Sequence, residues 1–283
     1  MTVVVAILFG FAATVALLLT TREVLGQPAL QRENYRGHHL PTAVGFLLVA
    51  AVIAVDGGRT LLATLVGVGD VAVAPQRVLL LSAVIAFGFL GAIDDLLGDG
   101  NDRGIRGHVG ALFEGRVTTG FVKLGGGVAV ALVLAGTIDG GHGGRTLGDA
   151  ALIALAANLG NLLDRAPGRT LKWGIVAYVP VALACGTAAI GVALGVAVGS
   201  AVALLAGDLR ERFMLGDTGA NALGAALGIG TVLGTSPAVR NVVAVVLLLL
   251  TLLSEVVSFS RIIDRVPPLR AFDRLGGRKA AGA

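Results

Sequence analysis

Long apolar runs, each closed by a short polar stretch, set the pattern of this chain. A helix that crosses a bilayer needs about 20 consecutive, mostly apolar residues. Runs that meet or approach this length fall at about nine places: 2–21, 41–57, 78–97, 119–138, 148–164, 172–186, 188–206, 217–235 and 239–260. They are continuous rather than alternating, which argues against an outer-membrane barrel. The expected fold is therefore all-α, a polytopic membrane helix bundle with about nine transmembrane helices. Small residues spaced by four, as in Gly195/Gly199 and Gly224/Gly228, predict helices in close backbone contact. No linker, low-complexity stretch or internal repeat interrupts the series. The expected organisation is one transmembrane domain over 1–260 and a basic tail over 261–283.

Composition agrees and adds sidedness. The chain is 55% hydrophobic and only 14% charged, with a mean hydropathy of +0.87 that a soluble domain of this size would not show. A net charge of +4 could suggest nucleic acid, but in a membrane chain the positions of the charges matter more than their sum, and no nucleic-acid partner is expected. Counted in alternate loops, the 22 Lys and Arg divide unevenly: Arg59, Arg77, Arg145 and Arg240 fall on one side and the other 18 on the opposite side. The positive-inside rule makes the richer side cytoplasmic, which places the N-terminus outside and the C-terminus inside a cytoplasmic (plasma) membrane. No basic residue precedes the first run and Arg22 follows it, so it reads as a retained anchor rather than a cleaved signal. The single cysteine, Cys185, allows no intrachain disulfide.

Acidic residues do not set topology, yet Asp94, Asp95, Asp99, Asp102, Asp164, Asp208, Glu211 and Asp217 gather on the cytoplasmic side. Asp94 and Asp95 close the third run in "GFLGAIDD", two like charges at the negative end of a helix dipole, so a positive group is expected beside them. Asn158, Asn161 and Asp164, three apart in "NLGNLLD", form one polar stripe on an apolar helix, and such a stripe faces the bundle interior or a water-filled cavity. Asp217 opens the eighth run in "FMLGDTGANALG", where an N-cap is the simplest reading. Carboxylates from three segments at one membrane surface also describe a Mg²⁺ site, because Mg²⁺ takes one or two carboxylates plus substrate phosphates. Loop arginines and the amides at the start of the eighth run suit a phosphate. The combination points to phosphoryl transfer at the membrane interface. His38 and His39 read as interfacial residues, and Trp173 as an interfacial anchor.

In this order the motifs resemble the polyprenyl-phosphate N-acetylhexosamine 1-phosphate transferases, the superfamily of the MraY-like translocase. "LPTAVGF" (40–46) is similar to the family's Pro-Thr-x-Gly-Gly, "GFLGAIDD" to its Asp-Asp motif, "NLGNLLD" to its Asn-x-x-Asn-x-x-Asp, and "FMLGDTGANALG" to its Met-Gly-Asp-x-Gly-Ser. Lys123 falls where the family has a lysine before the fourth span. The resemblance implies transfer of a sugar 1-phosphate from a UDP-sugar to polyprenyl phosphate, releasing UMP, in the building of a cell-envelope polymer. It further implies that Asp217 binds Mg²⁺, that Asp94 is the candidate base, and that Asp95 joins it at the metal or phosphate. Lys123 would lie by the diphosphate, and Asn158, Asn161 and Asp164 by the nucleotide. A homodimer would be in keeping with the family.

The departures are specific. Pro167 stands where the family has a second Asp, and Met214 where it has an aromatic residue. Arg270, Ala271 and Phe272 occupy the place of a triple-histidine motif, and the family's tenth span does not follow. Either Arg270 is then the expected replacement phosphate contact, or the site handles another sugar. These departures keep an alternative open, a catalytically degenerate relative that binds lipid phosphate or nucleotide sugar as a membrane partner. A transporter is disfavoured because the carboxylates lie at span ends rather than midplane.

Overall fold

Each long apolar run forms a helix, and the computed structural model describes residues 2–69, 71–98, 117–140 and 142–277. Asp99, Asp102, Arg103, Arg106, Arg116, Arg278 and Lys279, which entered the charge reading, lie outside the described residues. The chain opens with α1 (Val3–Thr20) and a short α2 (Arg22–Leu25). A small antiparallel hairpin follows, β1 (Gln31–Glu33) and β2 (His39–Pro41), in register Arg32 opposite Leu40. Then come α3 (Phe46–Val66), α4 (Pro75–Leu97), α5 (Thr119–Asp139), α6 (Gly143–Leu163), α7 (Arg169–Cys185), α8 (Ala189–Leu209), α9 (Gly216–Gly234) and α10 (Pro237–Val256). Two short amphipathic helices, α11 (Phe259–Arg265) and α12 (Pro267–Arg274), form the tail.

Among the described residues seven helices, α1, α3, α4, α5, α6, α8 and α10, are long and apolar enough to cross a membrane. The chain is thus an all-α, polytopic membrane bundle. The helices α7 and α9 coincide with two further expected spans but fall outside that criterion, α7 with 17 residues and α9 through its glycines.

Helix α9 is the axis of the bundle and packs on α3, α4, α6, α7 and α8. Small residues make this possible. A Cβ on Gly224 would overlap the Ala156 carbonyl of α6, and one on Gly199 of α8 would overlap the Ile7 carbonyl of α1, so both predicted glycine pairs lie at close helix contacts. The core is lined by Leu47 and Leu48 of α3, Leu80 of α4, Leu152 and Ile153 of α6, and Leu194, Leu204, Leu223 and Ile229 of α8 and α9.

The second expected span is displaced, running from Phe46 to Val66 rather than over 41–57. At its start, residues 39–41 pair in the hairpin and Gly45 N–H donates to Leu215 O at 2.8 Å, so this backbone is committed outside the helix. At its end, Asp56 does not stop the helix because Arg77 of α4 neutralises it, with Nε to Oδ1 at 2.9 Å and both side chains buried.

Candidate functional site

One end of the bundle carries a polar pocket of about 450 Å³ between α4, α5, α6 and α9. Helices α4 and α9 cross where a Cβ on Gly91 would overlap the Asp217 carbonyl. That crossing sets Asp94 and Asp95, one turn further along α4, against the first turn of α9.

The two aspartates then separate in role. Asp95 accepts from the N–H groups of Asp217 and Thr218, both at 2.9 Å, and from Thr218 Oγ1 at 2.6 Å. It caps α9 from another helix, and its charge meets the positive end of that helix's dipole. The expectation that Asp217 is the N-cap is therefore corrected. Asp217 lies inside the first turn, Leu215 occupies the cap position without a side-chain bond, and the orphan amides are served by Asp95. Asp217 is thereby left free to face the pocket. Gly216 precedes it with φ +75°, and a Cβ there would come within 2.6 Å of Asp95 Oδ2.

Asp94 turns instead to α5. Lys123 Nζ lies 2.6 Å from Asp94 Oδ2 and also pairs with Asp217 Oδ2, so one ammonium bridges two carboxylates. Thr119 Oγ1 adds a bond to Asp94 Oδ1 at 2.7 Å. This is the positive group that the Asp-Asp pair required. With its amide oriented to satisfy both neighbours, Asn161 donates to Asp217 Oδ2 at 3.1 Å and accepts from Lys123 Nζ at 3.1 Å.

Asn158, Asn161 and Asp164 all line the pocket, so the predicted stripe faces the bundle interior. Asn158 also donates to Thr251 Oγ1 of α10 at 3.3 Å. Desolvation, and then the nearby Asp208, Asp217 and Asp95 carboxylates, push the Asp164 carboxyl well above its usual range.

Seven of the eight expected site residues, Asp94, Asp95, Lys123, Asn158, Asn161, Asp164 and Asp217, share this pocket wall. Arg270 does not join them and is exposed on α12. Its helix is held elsewhere: Arg169 of α7 pairs with Asp273 through Nε (2.8 Å) and Nη2 (2.9 Å), and Lys172 donates to the Phe272 and Leu275 carbonyls. Phe213 is buried against Gly207 and is absent from the pocket wall. His38 and His39 are exposed on and beside the hairpin. Trp173 meets Phe272 edge-on, with ring centres 4.9 Å apart.

The wall also holds Arg165, one of the loop arginines expected to suit a phosphate, and three residues that the sequence reading did not assign to a site: Arg32, Asn221 and Glu255. Arg32 reaches it from the hairpin and donates to Leu96 O at 2.8 Å. No local pattern marked it, because the contact spans 64 positions. Asn221 had a signal, since it follows Asp217 by four and must share its helix face.

Two acidic residues of the same end are structural. Asp208 accepts from Gly168 N–H (2.6 Å) and Leu215 N–H (3.2 Å), joining the starts of α7 and α9. Glu211 holds the hairpin through Arg36 (3.3 Å) and Asn34 (3.3 Å).

The fold and site together define a polytopic helical membrane protein with a carboxylate-rich pocket at one end of its bundle. No family model matches the chain, and no curated protein matches it either.

Proposed function

We infer that this protein transfers a sugar 1-phosphate from a UDP-sugar to polyprenyl phosphate at the cytoplasmic face of the plasma membrane, forming a lipid-linked diphosphate sugar and UMP. The reading takes all nine long helices as spans, with the N-terminus outside. It belongs to the polyprenyl-phosphate N-acetylhexosamine 1-phosphate transferase class by resemblance of its motifs. The single observation that carries it is Lys123 held between Asp94 and Asp217 in a pocket also walled by Asn158, Asn161 and Asp164.

The donor set suits Mg²⁺. Asp94 and Asp217 turn hard oxygens toward one cation position, which Lys123 Nζ fills, and among the described residues no group of three or more His, Cys, Asp or Glu is placed to hold a metal ion, so an ion here would rely on two carboxylates and on substrate phosphates. Asp217 and Asp94 would hold the ion, with substrate phosphates completing its shell. When bound, Mg²⁺ supplies neutralisation of the diphosphate and of the departing UMP.

The chain's own residues do the rest. Lys123 faces the diphosphate, while Asn158, Asn161 and Asp164 orient the nucleotide. Asp95 fixes the first turn of α9 and so the direction of Asp217. An oxygen of the lipid phosphate attacks the sugar-bearing phosphorus, a new P–O bond forms, and the bond to UMP breaks. The nucleophile is already anionic, so Asp94 has little proton to remove and serves chiefly to place charge.

The test is UMP release by the purified protein with undecaprenyl phosphate, Mg²⁺ and a panel of UDP-sugars, beside Asp217→Asn. Release with one sugar, lost in the variant and on chelation of Mg²⁺, is expected. Silence across a panel that an active transferase turns over would sink the reading. It would favour the binding-only alternative, which the saturation of both carboxylates by Lys123 also suits.

A further inference from the structure

The pocket has a second tier, one helical turn deeper than its charged mouth. Gly127 of α5 lies one turn beyond Lys123, Ala157 and Asn158 of α6 lie about one turn before Asn161, and Phe87 of α4 lies two turns before Asp94. This tier carries no formal charge and is mostly apolar. Its polar members are Asn158, whose amide donates to Thr251 Oγ1, and Asn221 of α9, one turn beyond Asp217 and only 3% exposed. The Asn221 amide nitrogen is buried and has no hydrogen-bond partner among the described residues. A buried unpartnered donor is costly and rare in a native protein, so its retention on a pocket wall calls for an acceptor that arrives from outside.

The place of the tier selects that acceptor. A soluble donor meets the mouth first, whereas a group reaching past Phe87 and Gly127 toward the bilayer interior must be apolar beyond its acceptor oxygen. A prenyl phosphate has this composition, a phosphate followed directly by an isoprene unit. We propose that Asn221 is a binding residue for the lipid acceptor, donating its amide hydrogen to a phosphate oxygen of the prenyl phosphate while Phe87 and Gly127 receive the first isoprene. The assignment rests on the transferase reading for the identity of the lipid, and goes beyond it in giving a specific residue to the acceptor rather than the nucleotide.

A side chain kept for binding should cost stability in the free protein. Asn221→Leu keeps the volume and removes the orphan donor, so its thermal midpoint should equal or exceed that of the parent. An asparagine kept for structure would give the opposite result. The binding probes are farnesyl phosphate, farnesol and a UDP-sugar, measured by titration calorimetry in detergent. Asn221→Leu should weaken farnesyl phosphate about tenfold, the scale of one hydrogen bond to a charged group, and leave farnesol and the UDP-sugar unchanged. Asn221→Asp, which sets a carboxylate against the phosphate, should weaken it further.

Equal farnesyl phosphate binding by parent and Asn221→Leu overturns the assignment, as does failure of the parent to bind it. A loss that falls on farnesol or the UDP-sugar, or a lowered thermal midpoint, overturns it as well. UMP release is scored separately. A protein that shows the tenfold loss but releases no UMP has failed the transferase reading alone, and one that releases UMP with no such loss has failed this one alone.

Discussion

The two ends of the bundle handle charge differently. At the end with fewer cations, Arg77 closes a pair with Asp56, and Arg240 lies 2.6 Å from Asp149 and 4.0 Å from Asp139, all of them away from the polar pocket. At the other end five acidic side chains, Asp94, Asp95, Asp164, Asp217 and Glu255, border one pocket with three cations, Arg32, Lys123 and Arg165. Lys123 is shared by two of the carboxylates. A closed pair solves a folding problem, because each buried charge has its counter-ion. An acidic excess around a cavity leaves a charge requirement that a cation and a phosphate-bearing ligand together can meet. Charge at a membrane helix end is therefore informative only after its partners are counted.

The sharpest way to break this contrast is to remove the shared cation. Lys123→Met leaves Asp94 and Asp217 facing each other, and UMP release should fall about 10³-fold, the upper range for losing one charge-stabilising group. A variant that folds and keeps more than a tenth of parental turnover would show that the bridge is structural, like the pairs at the opposite end.

The next effect belongs to that opposite end. Arg77→Met strands the buried Asp56 carboxylate and should lower stability by about 3 kcal/mol, while adding Asp56→Leu should restore most of it. Chemical denaturation in detergent measures both, and UMP release per folded molecule should stay at the parental value. Loss of activity in the restored double variant would mean that the closed pair also serves the site.

Much of this contrast was legible in the residues themselves. The apolar runs anticipated an all-α membrane bundle, in which seven of the described helices are long and apolar enough to cross, and the Asp94/Asp95 pair demanded a positive neighbour that Lys123 and the amides of α9 provide. The stripe of Asn158, Asn161 and Asp164 faces inward as helical spacing required. What sequence did not convey depends on contacts between distant segments. Asp95 caps α9 across 122 positions, and no local rule assigns a cap to another helix. The displaced ends of α3 reflect backbone bonds to Leu215 and the Arg77 pair, both tertiary. Arg270 follows a motif order rather than a fold, and Arg169 and Lys172 hold its helix away from the pocket wall.

A smaller effect compares two glycines of like conformation. Gly67 ends α3 with φ +70° and open space around a would-be Cβ, whereas Gly216 has φ +75° with Asp95 within 2.6 Å. Gly67→Ala should cost about 1 kcal/mol of stability and nothing in turnover. Gly216→Ala should cost similar backbone strain and also dislodge the Asp95 cap, lowering UMP release by about tenfold to a hundredfold. Equal effects of the two substitutions would deny that Asp95 directs Asp217 into the pocket.

The smallest effect is expected at the tail. Asp273→Asn removes the carboxylate from Arg169, yet Ser260 Oγ still accepts from Nη1 at 2.8 Å and Lys172 keeps its bonds to backbone carbonyls. The loss should be about 1.4 kcal/mol of tail docking, which raises protease cleavage of α12 about tenfold. Turnover should not change, because neither Arg169 nor Asp273 borders the polar pocket. If turnover falls together with tail docking, the tail belongs to the site, and Arg270 regains the phosphate contact that its place in the sequence suggested.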